Sequence, residues 1–235
     1  MKTLINRLTK TILFITICIN TTLYAASNNI SDITNAYLAR DIASLNVIKK
    51  QLATASYEMA YANYRLALFS MFNDDKSKAE ILLDDAEATL KSDKIENSSL
   101  NYSLLASVYS LKAGLSILSG AINGKKSSDA INKAQELNDK NPQVWLVKGL
   151  SAYHTPGIFG GSNKKAIQFF NKAISLYSKN QDKSVYWGLE EALVWRAILH
   201  KKNKQTNEAI RDLKEALSYN ENFVRAKELL VKFSV

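Results

Sequence analysis

Turn-forming residues are scarce in this sequence, which contains 8 glycines and 2 prolines among 235 residues. Neither residue type occurs before Gly114. All-β sandwiches and barrels need turn residues about every eight to twelve positions, so the long segment before Gly114 excludes such a fold. Apolar residues make up 46% and charged residues 23% of the chain, which is a globular composition and not a disordered one. The sequence therefore predicts helices joined by short polar turns.

Cysteine and histidine are also nearly absent. The single cysteine, Cys18, lies in the N-terminal segment, so the rest of the chain has no thiol for a disulfide, a nucleophile or a metal site. The two histidines, His154 and His200, show no metal-ligand spacing. No glycine-rich phosphate loop, nucleophile elbow or His-Glu-x-x-His motif occurs. These absences argue against an enzyme, and we expect no cofactor and no metal site.

Residues 1–25 have the layout of a secretory signal peptide. The basic residues of this segment are Lys2, Arg7 and Lys10. The apolar stretch 11–19 follows them and is much shorter than the ~20 residues of a membrane-spanning helix. We predict cleavage after Ala25, a single helical domain over residues 26–235, and a periplasmic or secreted location. Because three basic residues and no acidic ones are removed, the formal charge falls from +9 to +6.

Four segments share a pattern of a small, a bulky and a small or apolar residue at positions i, i+4 and i+7. They are Ala79/Leu83/Ala86, Ala130/Ala134/Leu137, Ala166/Phe170/Ala173 and Ala209/Leu213/Ala216. These positions share one face of a helix, where small residues let a neighbouring helix approach closely. An apolar helical stretch precedes each segment, over 57–72, 100–122, 144–153 and 188–200. The pattern predicts four helical hairpins.

The hairpins resemble the tetratricopeptide repeat (TPR) family. Trp145 and Gly149 stand in the Trp-x3-Gly arrangement of that repeat, and Pro142 falls where the family ends its second helix with proline. The resemblance covers about residues 57–222 and implies an all-α, right-handed solenoid of about four hairpins. The hairpin segments start 51, 36 and 43 residues apart, which is less regular than the family pattern, and a generic helical bundle is the alternative. Flanking helices are expected at both ends.

The flanking helices are predicted from apolar stripes at helical spacing. A first helix is expected after an N-cap at Ser31, with a stripe that runs from Leu38 to Leu52. A last helix is expected from Phe223 to Phe233. These helices would cover the apolar ends of the solenoid.

By the resemblance, the first helix of each hairpin lines a concave groove. The groove positions are then Tyr61, Tyr64, Leu68, Val108, Leu111, Leu115, Gln143, Leu146, Leu150, Tyr153, Glu191, Val194, Ile198 and Lys201. A groove with few charges suits an apolar segment of another envelope protein, so we expect a non-catalytic scaffold or assembly factor. The alternative is that these residues form core against the N-terminal helix.

The connection 154–161 interrupts the third hairpin and carries Ile158 and Phe159. One interpretation places these two residues in a gap between helices, and the other makes them a lip of a ligand site beside Tyr153 and His154. A similar Pro-x-x-Gly-Gly insertion is found in the T components associated with TRAP-type periplasmic transporters. This resemblance implies an alternative function, the binding of a small apolar ligand.

Lysines recur where the hairpin turns are expected. They are Lys76, Lys78, Lys125, Lys126, Lys164, Lys165, Lys201, Lys202 and Lys204. Stacked hairpins place their turns along one edge, so we predict a basic rim that attracts an acidic protein face or anionic lipid headgroups at the membrane periphery. The alternative is a solvated polar edge. A nucleic-acid partner is not expected, because export separates the protein from cellular DNA and RNA.

Overall fold

The computed structural model describes residues 29–179 and 187–234, so the predicted signal peptide lies outside the described residues. Within those two ranges every regular element is a helix. The helices are α1 (29–38), α2 (Ile42–Gln51), α3 (Tyr57–Phe72), α4 (Lys76–Leu90), α5 (Ser99–Leu115), α6 (Ile117–Leu137), α7 (Pro142–His154), α8 (Asn163–Lys179), α9 (Leu189–Lys202), α10 (Thr206–Tyr219) and α11 (Val224–Ser234). A short 3₁₀ turn spans Gly157–Phe159.

Consecutive helices pack as four antiparallel hairpins, which are α3 with α4, α5 with α6, α7 with α8, and α9 with α10. Each hairpin also contacts the next one along the chain. The helices α1 and α2 precede this array and α11 follows it. The predicted all-α helical repeat with flanking helices is therefore confirmed. No helix in the described ranges is both long and apolar enough to cross a membrane.

Polar caps explain why several helices begin where they do. The side chains of Ser56, Asp75, Ser98 and Asn141 each accept a hydrogen bond from a backbone N–H two or three residues later. These bonds satisfy N–H groups that have no partner inside a helix. Pro142 follows Asn141 at the first helical position, where its missing N–H is not needed.

The small-residue positions form the packing seam of the hairpins. Ala79, Ala130, Ala166 and Ala209 are at most 5% exposed, as the repeat pattern predicts. The exception in the four segments is Leu137, which is 43% exposed. It is the last residue of α6, next to the extended C-cap Asn138, so it lies at the end of the seam.

The second hairpin differs from its predicted form. A first helix over 100–122 was expected, but the chain turns at Ser116, whose backbone is extended with φ −141° and ψ 126°. As a result Lys125 and Lys126 lie inside α6, and the prediction that they occupy a turn is wrong. No proline or glycine stands at position 116 to mark the break in the sequence.

The N-terminal flank also differs from its predicted form. The expected single helix divides at Arg40, whose φ of 57° is left-handed and ends α1. Asp41 then caps α2 by accepting the backbone N–H of Ser44 at 2.9 Å. Ser31 lies within α1, so its prediction as an N-cap is wrong.

The two ends of the helical array meet. Leu38 of α1 is 1% exposed and belongs to a core cluster formed otherwise by residues of α9, α10, α11 and the turn before α11. The guanidinium of Arg40 donates two hydrogen bonds to the carboxylate of Glu228, at 2.6 and 2.8 Å. Asn220 donates to the side-chain oxygen of Asn35 at 2.8 Å. The N-terminal helix therefore contacts both α3 and the C-terminal helices.

Candidate binding site

The interior of the predicted groove is occupied by Trp187, which precedes α9. Its ring is 2% exposed, stacks on Tyr61 with centroids 5.3 Å apart, and lies 6.1 Å from the ring of Tyr64. The indole N–H donates to the hydroxyl of Tyr57 at 2.9 Å. The backbone carbonyl of Trp187 accepts a hydrogen bond from the Tyr177 hydroxyl. These contacts hold the side chain against the first helix of the first hairpin.

Gln143 provides further hydrogen-bonding contacts to Trp187. When the amide of this buried side chain is oriented with its oxygen toward the indole, it accepts from the Trp187 backbone N–H at 3.1 Å and from the indole N–H at 2.6 Å. Gly188 follows with a φ of 103°, and a Cβ at this position would lie 2.2 Å from Leu146. The turn that delivers Trp187 therefore requires glycine.

A buried ion pair lies beside Trp187. Arg65 of α3 is fully buried and donates to both carboxylate oxygens of Glu191 in α9, at 2.8 Å for the first. The same guanidinium donates to the hydroxyl of Tyr61 at 2.8 Å and lies 4.3 Å from the ring centroid of Tyr37. Burial lowers the pKa of Arg65, but the Glu191 carboxylate, Tyr61 and Tyr37 together outweigh burial, so the Arg65 pKa lies well above its usual value. The pair joins two hairpins that are far apart in sequence.

The predicted groove residues divide by exposure. Tyr61, Tyr64, Leu146 and Val194 are at most 5% exposed and are covered by side chains of this chain. Leu150, Tyr153 and Lys201 are partly exposed, and the Lys201 ammonium donates to the carbonyl of Phe233 at 3.3 Å. The four buried residues belong to the core in this structure. Contact of any predicted groove residue with a partner stays a prediction.

A cavity of about 550 Å³ lies next to the buried ion pair, between α1, α3, α9 and α11. Its aromatic wall consists of Tyr37, Phe69, Phe72, Trp195 and Phe223. Its charged wall consists of Arg40, Glu191, Arg225 and Glu228. Because these residues come from both ends of the chain, the cavity exists only when α1 contacts α9 and α11.

Arg225 is the charged group of this wall that lacks an ionic partner. Its guanidinium carbon lies 4.2 Å from the ring centroid of Trp195, and burial lowers its pKa from the usual value. Arg225 forms no salt bridge with any residue of 29–179 or 187–234. By contrast, Arg40 is paired with Glu228, and Glu191 is paired with Arg65.

His154 and Tyr153 extend the aromatic surface beyond Trp195. The ring centroid of His154 lies 4.8 Å from that of Tyr153 and 5.0 Å from that of Trp195, with both contacts edge to face. Burial and, second, the nearby Arg225 charge lower the pKa of His154 below its usual 6.5. The structure therefore brings two predicted site residues next to the cavity wall.

Ile158 and Phe159 do not fill a gap between helices. They are 87% and 75% exposed, so the interpretation that they pack inside the fold is wrong. The 3₁₀ turn that carries them is closed by hydrogen bonds from the Phe159 N–H and the Gly161 N–H to the carbonyl of Pro156, at 2.9 and 3.2 Å. This turn points both side chains into solvent, away from the helical core.

The lysines of the predicted rim occupy different environments. Lys164 and Lys165 lie exposed in the first turn of α8, and Lys202 is exposed at the end of α9. Lys125 pairs with Asp129 at 2.9 Å, and the Lys126 ammonium lies 5.3 Å from the ring centroid of Tyr109. Lys76 and Lys78 are likewise exposed in the first turn of α4, and a joint role of these lysines as a basic rim stays a prediction.

Several residues of the site were missed by sequence reasoning. Arg65 is the one charged residue of α3 after Glu58, and a lone charge in a largely apolar helix was a signal for a buried ion pair. The Trp187-Gly188 pair indicated a turn that requires glycine, but the neighbouring sequence does not show where the Trp187 ring packs. Arg225 gave no signal, since a lone cation in an amphipathic helix does not show that the chain folds a cavity around it. Among the described residues no group of histidine, cysteine, aspartate or glutamate side chains is suited to hold a metal ion.

No family model and no curated protein matches the sequence. Solved structures nevertheless share the fold. The HusA haemophore from Porphyromonas gingivalis is 20% identical and superposes with a TM-score of 0.57 over 77% of this chain and 93% of its own. TTC0263, a thermophilic TPR protein in Thermus thermophilus, is 16% identical and superposes with a TM-score of 0.52 over 92% of this chain and 95% of its own.

Likeness at these identities establishes the fold. The chain has the helical-repeat fold of TPR proteins, and the expected resemblance to that family is confirmed at the level of structure. More particularly, it is a four-hairpin TPR-like array whose ends meet around an aromatic cavity.

Proposed function

We propose that this protein is an exported, non-catalytic binding protein that holds an apolar, anion-bearing ligand in the cavity between α1, α3, α9 and α11. The observation that carries the proposal is Arg225, a half-buried cation in the cavity wall without a carboxylate partner among the described residues. Burying an unpaired charge is costly, and an anionic group on a ligand supplies the missing partner. The aromatic side chains around it supply the apolar contact.

The proposed location is the periplasm or the cell exterior. The signal-peptide layout of residues 1–25 supports export, and residues 26–235 contain no cysteine. The packing that holds the cavity therefore needs no disulfide.

The cavity favours a compact ligand over a long helical segment. Its volume of about 550 Å³ lies within the usual range of small-molecule sites, about 300 to 1,000 Å³. Trp187 and the Arg65–Glu191 pair contact or include the positions predicted to line a groove for a partner helix, which disfavours such a partner there. The rings of Tyr37, Phe69 and Trp195 suit a flat conjugated ligand, since aromatic faces stack on such surfaces.

Haem is the first compound to test, because HusA, whose fold this chain shares, is described as a haemophore. A porphyrin is flat, apolar and carries carboxylates that Arg225 can pair with. The described lining residues include no histidine, methionine or cysteine. Burial raises the pKa of Tyr37 to about 12, which disfavours the phenolate form that binds iron. We therefore propose recognition of the ring and the carboxylates, with little contribution from the metal.

Fluorescence titration tests this proposal, because Trp195 lies in the cavity wall. Haem and metal-free protoporphyrin should both quench the fluorescence at similar concentrations. Arg225→Gln should lower the affinity for both compounds by at least about tenfold, since a charge-assisted hydrogen bond is lost. Lys227→Gln is the matched control, because it removes an exposed cation from the same helix. If wild type and Arg225→Gln bind with equal affinity, the cavity is not the binding site. If neither compound binds, porphyrins are not the ligands.

A partner protein with a short apolar anchor is the second candidate. Phe72 is 69% exposed and Ile42 is 37% exposed, and both line the cavity. An aromatic anchor that enters a pocket with an apolar rim is a common arrangement at protein interfaces. Affinity capture from an envelope extract with wild type, Phe72→Ala and Lys227→Gln tests it. A protein retained by wild type and the lysine variant but lost with Phe72→Ala supports docking at the cavity, whereas equal retention by all three contradicts it.

A further inference from the structure

The connection between α7 and α8 presents two apolar side chains to solvent in a fixed conformation. Ile158 and Phe159 are the two most exposed large hydrophobic side chains of the described residues. Solvent exposure of two adjacent large apolar residues in one turn has no structural benefit, because neither packs on the core. Adjacent exposed apolar side chains of this size are typical of an interaction site.

The turn is built to hold this conformation. The Ser162 N–H donates to the carbonyl of Ala152 at 2.7 Å, which ties the end of the loop to α7. Gly160 has a φ of 93°, and a Cβ on Gly161 would lie 1.7 Å from the carbonyl oxygen of Thr155. Both glycines are therefore required by the backbone, and the two apolar side chains are fixed outward.

The hairpin that carries the turn is uniformly basic. Residues 140–181 contain six lysines and no aspartate or glutamate. Lys164 and Lys165 are exposed within six residues of Phe159. In stacked hairpins equivalent turns lie along one edge, and the turn after α9 begins at the exposed Lys202. An apolar projection surrounded by cations is complementary to a surface that is anionic outside and apolar beneath.

We propose that this turn is a membrane-contact site, which inserts Ile158 and Phe159 between the headgroups of an anionic lipid bilayer while the neighbouring lysines contact the phosphates. Lysines alone would suit any polyanion, and apolar residues alone would suit any hydrophobic surface. Their combination at one edge matches a lipid interface, where apolar burial and charge attraction act together. The site is separate from the cavity and does not depend on what the cavity binds.

Vesicle co-sedimentation of the purified protein tests the proposal. Vesicles of phosphatidylcholine mixed equally with phosphatidylglycerol should retain the protein, and vesicles of phosphatidylcholine alone should retain much less. Ile158→Ser with Phe159→Ser should weaken binding by at least about tenfold, since two apolar side chains no longer insert. The matched control is Ile81→Ser with Val231→Ser, which removes two exposed apolar side chains from α4 and α11.

A second pair of variants separates charge from insertion. Lys164→Glu with Lys165→Glu should reduce binding to anionic vesicles, whereas Lys227→Glu with Lys232→Glu on α11 should have a smaller effect. In a Phe159→Trp variant, the fluorescence emission should shift to shorter wavelength when anionic vesicles are added, because the new indole side chain enters an apolar environment. The proposal is overturned if the protein does not bind anionic vesicles, or if the serine variant binds as wild type does. Circular dichroism of each variant checks that the fold is retained.

Discussion

At the scale of single residues, mutation of either member of the buried Arg65–Glu191 pair should strongly destabilise the fold. The Arg65 side chain is completely buried, and that of Glu191 is 15% exposed. Removing one member of a buried pair leaves an uncompensated charge, which costs more than the pair itself contributes. The identity of both residues is therefore constrained by burial, whatever the protein binds.

Glu191→Gln should lower the free energy of unfolding by about 3 kcal/mol, because Arg65 then keeps its charge without a carboxylate. Urea denaturation measures the change. The double variant Arg65→Met with Glu191→Leu should recover most of it, since no charge is left buried. Glu228→Gln is the control, because the Arg40–Glu228 pair is about half exposed and should contribute at most about 1 kcal/mol. A Glu191→Gln variant as stable as the control would contradict the argument.

At the scale of secondary-structure elements, the hairpins depend on how closely α7 approaches α8. Gly114 in α5 and Gly149 in α7 both lie in the first helix of a hairpin, yet their surroundings differ. A Cβ on Gly149 would lie 2.5 Å from the ring of Phe170, which is fully buried in α8. A Cβ on Gly114 would have no heavy atom within 4 Å. Of these two positions, helix contact requires glycine at 149 and not at 114.

Gly149→Ala should destabilise the protein by about 1–3 kcal/mol, because the added methyl group overpacks the seam. Gly114→Ala should be neutral or stabilise by up to about 1 kcal/mol, since alanine has the higher helix propensity. Thermal or urea unfolding of both variants gives the comparison. Replacing Phe170 by leucine should relieve part of the Gly149→Ala loss. Equal stabilities of the two alanine variants would show that the close approach is not needed.

Features that depend on residues close together in the sequence could be predicted, whereas features that depend on tertiary contacts could not. The spacing of Ala166, Phe170 and Ala173 lies within one helix, so the hairpins could be predicted from it. The turn at Ser116 could not, because neither glycine nor proline stands at that position and Gly114 lies within α5. The cavity was missed altogether, since Tyr37 and Arg225 meet only through tertiary contacts. The predicted groove residues were placed on the correct helices, but Trp187 covers part of them.

At the scale of the whole molecule, the contact between the two ends sets this array apart from an open solenoid. In an open array each repeat touches only its neighbours, so a change at one end is felt locally. Here Leu38 packs in the cluster of the C-terminal helices. Both ends, and the cavity between them, should therefore respond together to a change in α1.

Hydrogen exchange measured by mass spectrometry can show whether the two ends are coupled. Leu38→Ala should cost about 2–4 kcal/mol, because a fully buried leucine is removed, and should speed exchange in α10 and α11 as well as in α1. Leu45→Ala is the matched control, since this fully buried leucine lies in α2 and belongs to the other core cluster. It should speed exchange in α1 to α3 and leave α11 unchanged. Unaltered exchange of α11 in the Leu38→Ala variant would mean that the ends separate in solution, and the cavity would then lack one of its walls.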